Sequence, residues 1–143
     1  MWTEEKLNQL LTTPSQALID DMKKIKGDIM ILGAGGKMGP TLSVLAKNAC
    51  RAAGIDKKIY AVSRGSDKIA AELMISNGVE VINADLLDKE KLYSLPEAEN
   101  IIYMAGRKFG TNGNEWRLNH RPCELHTARY SAPSTICATR PTE

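Results

Sequence analysis

Short apolar runs alternate with amphipathic segments along most of this chain. Each run is almost continuously apolar, which is typical of a strand buried on both faces of a parallel sheet. The segments between the runs carry apolar residues at helical spacing and end near Gly, Asn or Pro. The predicted strands are residues 28–32, 58–63, 79–83 and 100–104, and the predicted helices are 38–53, 67–77 and 89–95. This alternation predicts an α/β fold, a Rossmann-like parallel sheet of about four strands with helices on both faces.

Residues 1–26 precede the first predicted strand and are expected to form a helical N-terminal extension. The run Thr13-Pro14-Ser15-Gln16 predicts a helix start, with the Thr13 hydroxyl as N-cap and proline at the first helical position. Apolar residues then recur near helical spacing up to Ile25, and Gly27 supplies a stop. A helix that begins at Pro14 and ends before Gly27 is therefore expected in this extension.

Residues 118–143 differ in composition from residues 27–117, which we take as the Rossmann-like domain. The last segment has no lysine, and it contains both histidines and three of the six prolines. Few strongly apolar residues lie in it and no helical or strand periodicity is visible. We therefore expect an irregular tail that is foreign to the rest of the domain.

Charge and hydropathy exclude several classes of protein. Nineteen Lys and Arg residues against seventeen Asp and Glu give a net charge of +2, which does not suggest nucleic-acid binding. No apolar run approaches the roughly 20 residues that span a bilayer. The polar N-terminus is unlike a signal peptide, and the three cysteines are too few and odd in number for a disulfide framework. A cytoplasmic protein with reduced thiols and no membrane partner is expected.

The most informative motif is a glycine-rich turn directly after the first predicted strand. Glycines at 33, 36 and 39 fit the pattern G-x-x-G-x-x-G, whereas the spacing of an ATP-binding P-loop is absent. Such a turn lets the backbone approach a pyrophosphate, and the following helix presents its amides to it. The alternative is a tight turn without a ligand. The candidate cofactor-binding residues here are Gly33, Gly35, Gly36, Lys37, Met38 and Gly39.

The ends of the other predicted strands supply further candidates. The second ends in Ser63-Arg64 without a carboxylate, which favours NADP over NAD, although Arg64 could also be a solvated turn residue. After the third, Asp85 could accept a bond from an adenine amino group with Leu86 packed on the ring, or Asp85 could cap the next helix. The fourth ends in Met104-Ala105-Gly106, whose small residues leave room for a ribose.

Together, the turn glycines, Asp85-Leu86 and Met104-Ala105-Gly106 resemble the NAD(P)-binding half of the extended or atypical short-chain dehydrogenases/reductases, in the epimerase/dehydratase branch. The resemblance covers residues 27–119. It implies an NAD or NADP cofactor and a catalytic tyrosine followed four residues later by lysine. No tyrosine of this chain has that partner, so no catalytic residue is assigned. The residues four positions after the tyrosines are Arg64, Glu97, Arg107 and Ser134.

The missing pair suggests a truncated or frameshifted relative of a longer reductase or epimerase that binds the cofactor without catalysing. Such a half would leave an exposed sheet edge or apolar patch through which copies could associate. The alternative from another class is a nucleotide-sensing interaction module. His120, Cys123, His126 and Cys137 are residues of the types that bind zinc, but their spacing matches no common finger and no metal is predicted.

Overall fold

The computed structural model describes residues 3–105 and the backbone of residues 135–137. In this part of the chain, five strands form one parallel sheet in the order β3-β2-β1-β4-β5. The predicted α/β, Rossmann-like class is therefore confirmed. The strands are β1 Ile29–Leu32, β2 Ile59–Ser63, β3 Glu80–Asn83, β4 Asn100–Tyr103 and β5 Thr135–Cys137, and the helices are α1 Glu4–Leu11, α2 Gln16–Lys24, α3 Gly39–Ala52, α4 Lys68–Ser76 and α5 Lys89–Tyr93.

The central strand β1 is buried on both faces, which explains its continuous apolar sequence. Ile29 and Ile31 pack with α2 and α3 residues on one face, whereas Met30 and Leu32 pack with Leu92 of α5 and other residues on the opposite face. Alternate side chains of a strand point to opposite faces, so one short strand serves two apolar clusters. The helices on the two faces of the sheet therefore pack against the same central strand.

The N-terminal extension is helical as predicted, but its second helix starts two residues later than expected. Ser15 is the N-cap of α2, and its hydroxyl oxygen accepts a hydrogen bond from the Leu18 amide at 3.3 Å. The Thr13 hydroxyl instead donates to the Gln9 carbonyl at 2.6 Å, in the last turn of α1. The prediction that Thr13 caps α2 was wrong because the end of the preceding helix captures its side chain.

Helix α2 is held to the sheet by an apolar contact and a buried cation. Met22 is 6% exposed and lies in the same cluster as Ile31. The Lys57 ammonium, in a side chain that is 6% exposed, donates to the carbonyls of Ile25 and Gly27 that follow the helix. A cation at a helix C-terminus also interacts favourably with the helix dipole. The extension is thus packed into the domain.

The amino ends of β1 and β4 are joined by two side chains, one just before β4 and one at its first residue. The Glu99 carboxylate accepts a hydrogen bond from the Asp28 amide at 2.7 Å, and this bond lowers the pKa of Glu99. Asn100 donates to the carbonyls of Lys26 and Asp28 at 2.7 and 3.1 Å. These contacts lie at the amino edge, which leaves the opposite edge of the sheet for a ligand.

One short stretch of the expected irregular tail is a strand. Residues Thr135–Cys137 pair in parallel with β4, so Tyr103 lies opposite Cys137. The irregular prediction was therefore wrong for these three residues. An edge strand presents unpaired amides and carbonyls that any extended segment can satisfy, and such pairing leaves no periodic signal in so short a sequence. Residues 106–134 and 138–143 lie outside the described residues, and they include His120, Cys123 and His126 of the zinc-binding types.

Over the described part of the chain, no helix is long and apolar enough to cross a membrane. The longest is α3, with 14 residues.

Candidate functional site

The four strand ends that carry the predicted site residues meet at the carboxyl edge of the sheet. Hydrogen bonds join each end to its neighbour just beyond the paired residues. Because all of these strands are parallel, the loops that follow them lie side by side. The bonds run from Gly33 N to Val62 O (2.9 Å), from Ala84 N to Ser63 O (2.8 Å) and from Met104 N to Leu32 O (2.8 Å).

The glycine-rich turn occupies the topological switch point of the sheet. From β1 the chain proceeds outward through β2 and β3 on one side, and then returns to place β4 on the other side of β1. In open α/β sheets, ligands bind outside the carboxyl ends of the strands at the point where this reversal opens a crevice. The turn between β1 and α3 borders that crevice.

Gly33 and Gly39 are needed by the fold itself. Gly33 has φ of +85°, and a Cβ built on it would lie 2.5 Å from the Ala105 backbone nitrogen. A Cβ on Gly39 would lie 2.2 Å from the Ala34 carbonyl oxygen. The missing side chain at Gly33 lets the residue after β4 come close, and the missing side chain at Gly39 lets the first turn of α3 pack on Ala34. Both glycines therefore have a structural explanation without any ligand.

Gly36 has no such explanation. Its φ is not positive, and among residues 3–105 a Cβ there would meet only the Gly33 carbonyl oxygen, at 4.0 Å. Gly35 is intermediate, since its Cβ would lie 3.1 Å from the Ser63 Cβ. Both glycines are exposed at the tip of the turn. The surface at Gly36 is thus bare backbone in a place where the fold would accept a side chain.

The turn also offers backbone donors. The amides of residues 35–38 donate no hydrogen bond to any residue within 3–105. Helix α3 begins without a side-chain cap, with Pro40 in its first turn, and the Thr41 hydroxyl donates to the Met38 carbonyl at 3.1 Å rather than capping an amide. Unpaired amides and the positive end of the helix dipole together favour an anion at this point.

Two basic side chains flank these donors. Lys37 lies on the turn, and Arg64 follows β2; both are exposed, and neither forms an ion pair with another described residue. The Ser63 hydroxyl oxygen accepts a bond from the Gly65 amide at 3.3 Å, which folds the turn after β2. The structure thus brings the Ser63-Arg64 candidates next to the glycine turn, with Ser63 packed against Gly35.

The adenine-site candidates at the end of β3 are arranged differently from expectation. The Asp85 carboxylate accepts a bond from the Leu87 amide at 3.0 Å, while α5 is capped by Asp88, so the capping alternative for Asp85 is wrong. Leu86 is only 9% exposed and belongs to the core, whereas Leu87 is 54% exposed. The strand-like alternation continues past β3 and turns Leu86 inward. The leucine with free surface in this turn is Leu87.

At the end of β4, Met104 and Ala105 are half-buried beside the turn, and Gly106 lies outside the described residues. Two tyrosines, Tyr60 and Tyr103, are 6% and 2% exposed in the core. Within residues 3–105, no cluster of three or more His, Cys, Asp or Glu residues is placed to hold a metal ion.

The structure adds one residue that sequence reasoning missed. Asn83, the last residue of β3, lies opposite Ser63 in the parallel register. A Cβ built on Gly65 would lie 2.8 Å from the Asn83 amide nitrogen, so this side chain rests against the turn that carries Arg64. A polar residue that ends an apolar strand at the carboxyl edge is the signal that would have indicated it.

Comparison with models of known protein families gave no match to this sequence, and comparison with curated proteins gave none either.

Proposed function

We propose that this chain binds a nicotinamide dinucleotide, with NADP favoured over NAD, at the carboxyl edge of its sheet. The observation that carries the proposal is Gly36, which is bare backbone without a steric or conformational reason in the described part of the chain. A pyrophosphate that lies against the turn supplies the reason, because a Cβ at that position would stand between the phosphate and the amides.

The phosphates are held by groups of three kinds. The free amides of residues 35–38 donate to phosphate oxygens, the N-terminus of α3 contributes its dipole, and Lys37 adds a formal positive charge. Together these groups would offset part of the charge of a dianionic pyrophosphate.

The adenosine half of the cofactor extends from the turn toward β2 and β3. Ser63 and Arg64 face the ribose, where an NAD-specific site has a carboxylate and where the 2′-phosphate of NADP needs donors and positive charge. Asp85 accepts a bond from the adenine amino group through the carboxylate oxygen that does not bind the Leu87 amide. Leu87 rather than Leu86 supplies the larger apolar surface for the ring.

The nicotinamide half would extend across the switch point toward β4, over Met104 and Ala105. When bound, the cofactor would supply hydride chemistry. The resemblance to the epimerase/dehydratase branch of the short-chain dehydrogenases/reductases supports this orientation, and the absent Tyr-x-x-x-Lys pair supports binding without turnover by this chain.

Calorimetric titration of the chain with NADPH and NADH at matched salt tests the proposal. We expect both to bind, NADPH more tightly. Replacing Arg64 by alanine should lower the affinity for NADPH by about tenfold, as expected for the loss of one charge-assisted phosphate contact. The affinity for NADH should stay nearly unchanged. The matched control is Arg51→Ala, an exposed arginine in the last turn of α3, which should change neither affinity. Absence of binding by the wild-type chain would refute the proposal.

A further inference from the structure

The turn after β2 rests on a side chain from the neighbouring strand. Gly65 has φ of +69°, and the Asn83 amide nitrogen and oxygen lie 2.8 and 3.4 Å from the position that a Gly65 Cβ would take. Glycine is required here by both the backbone conformation and the contact. The Asn83 side chain is exposed, and it forms no hydrogen bond with any residue between 3 and 105. A free amide group therefore lies beside the backbone of Arg64-Gly65.

We propose that Asn83 is a specificity-determining residue of the site, whose side-chain amide donates to the 2′-phosphate of NADP together with Ser63 and Arg64. The inference rests on the dinucleotide function proposed above. Ser63 and Asn83 are opposite each other in adjacent strands, so their side chains border the same gap at the sheet edge. The ribose of a dinucleotide held by the glycine turn lies at the end of β2, which is the edge of that gap.

Asn83 carries no charge, and for cofactor preference this matters as much as its side-chain N–H donor. A carboxylate at this place would face a phosphate with nearly two negative charges, and like charges in contact disfavour binding. The same carboxylate would accept bonds from the two ribose hydroxyls of NADH. An amide donates to a phosphate without repelling it, so asparagine at position 83 favours the phosphorylated cofactor.

The test compares the NADPH and NADH affinities of four proteins by calorimetry: wild type, Asn83→Asp, Asn83→Ala and the control Gln9→Glu. The control makes an amide-to-carboxylate change on the exposed surface of α1. We expect Asn83→Asp to lower the ratio of NADPH to NADH affinity by about tenfold or more, and Asn83→Ala to lower it by about threefold. Gln9→Glu should leave the ratio unchanged.

Each other outcome overturns the inference in a recognisable way. If both Asn83 variants bind both cofactors with wild-type affinity, the side chain does not meet the phosphate. An equal loss of affinity for both cofactors would show that Asn83 only supports the turn. If the wild-type chain binds neither cofactor, the proposed function itself fails. Thermal unfolding of each variant checks that the fold is retained, which is expected because Asn83 is exposed.

Discussion

The glycines of the turn after β1 divide into two kinds by what surrounds them. Gly33 and Gly39 are places where backbone meets backbone, and a Cβ at either would lie within 3.0 Å of a neighbouring main-chain atom. Within residues 3–105, a Cβ on Gly36 would have no neighbour closer than 4.0 Å, and its φ is not positive. A sequence pattern does not distinguish the three glycines, whereas the structure separates the two that serve packing from the one that no contact among the described residues requires.

This division predicts opposite effects on stability. Gly33→Ala should lower the free energy of unfolding by at least about 2 kcal/mol, because it combines a left-handed backbone with a main-chain clash. Gly39→Ala should cost a similar amount through its clash with Ala34. Gly36→Ala should leave stability unchanged or raise it by up to about 1 kcal/mol, since alanine restricts the unfolded chain. Chemical denaturation of the three variants makes the measurement. Equal destabilisation by all three would contradict the division.

Side-chain roles at single residues were the least predictable part of the sequence. Asp85 precedes a predicted helix, which made it one candidate for the helix cap. In the structure its carboxylate accepts a hydrogen bond from the Leu87 amide, and Asp88 caps α5 instead. Likewise, Thr13 and Ser15 are both competent caps, and the length of α1 decides between them. These choices depend on where a neighbouring element ends by one or two residues, which composition and periodicity do not report.

At the scale of elements, the sheet strands and the helices between them were predictable because burial on both faces leaves a continuous apolar signature. The first four strands and the three intervening helices occur where the pattern indicated, within about two residues at each end. Strand β5 was missed, because a three-residue edge strand carries no such pattern. The attachment of α2 was also hidden, since it depends on one lysine that is distant in sequence.

That lysine allows a sharp test of how the extension is joined to the domain. Lys57→Met keeps the alkyl chain but leaves the half-buried carbonyls of Ile25 and Gly27 without their donor, which should lower the free energy of unfolding by about 1–3 kcal/mol. The adjacent Lys58→Met is the control, because Lys58 is exposed and its side chain forms a surface ion pair with Glu80 at 3.5 Å.

Denaturation of both variants, followed by far-UV circular dichroism, separates the two lysines. We expect Lys58→Met to unfold close to the wild type and Lys57→Met to unfold clearly earlier. Equal stability of the two variants would mean that α2 is held by the contacts of Met22 and its apolar neighbours alone.

At the scale of the whole molecule, parallel topology explains why residues spread from position 33 to position 105 meet at one edge. The residues that follow the parallel strands all lie at the carboxyl edge of the sheet, and the reversal of strand order at β1 opens the crevice there. The location of the candidate site was therefore predictable from the order of elements. The contact between Asn83 and the Arg64 turn was not, because it depends on strand register and on a left-handed glycine.

The measurement that tests this account most directly is calorimetric titration of NADPH into the wild-type chain and into Gly36→Ala, with the unfolding midpoint of each recorded. The account predicts that the wild type binds, and that Gly36→Ala binds at least about tenfold more weakly while unfolding at the same or a higher temperature. Equal NADPH binding by Gly36→Ala, or no binding by the folded wild type, would contradict it.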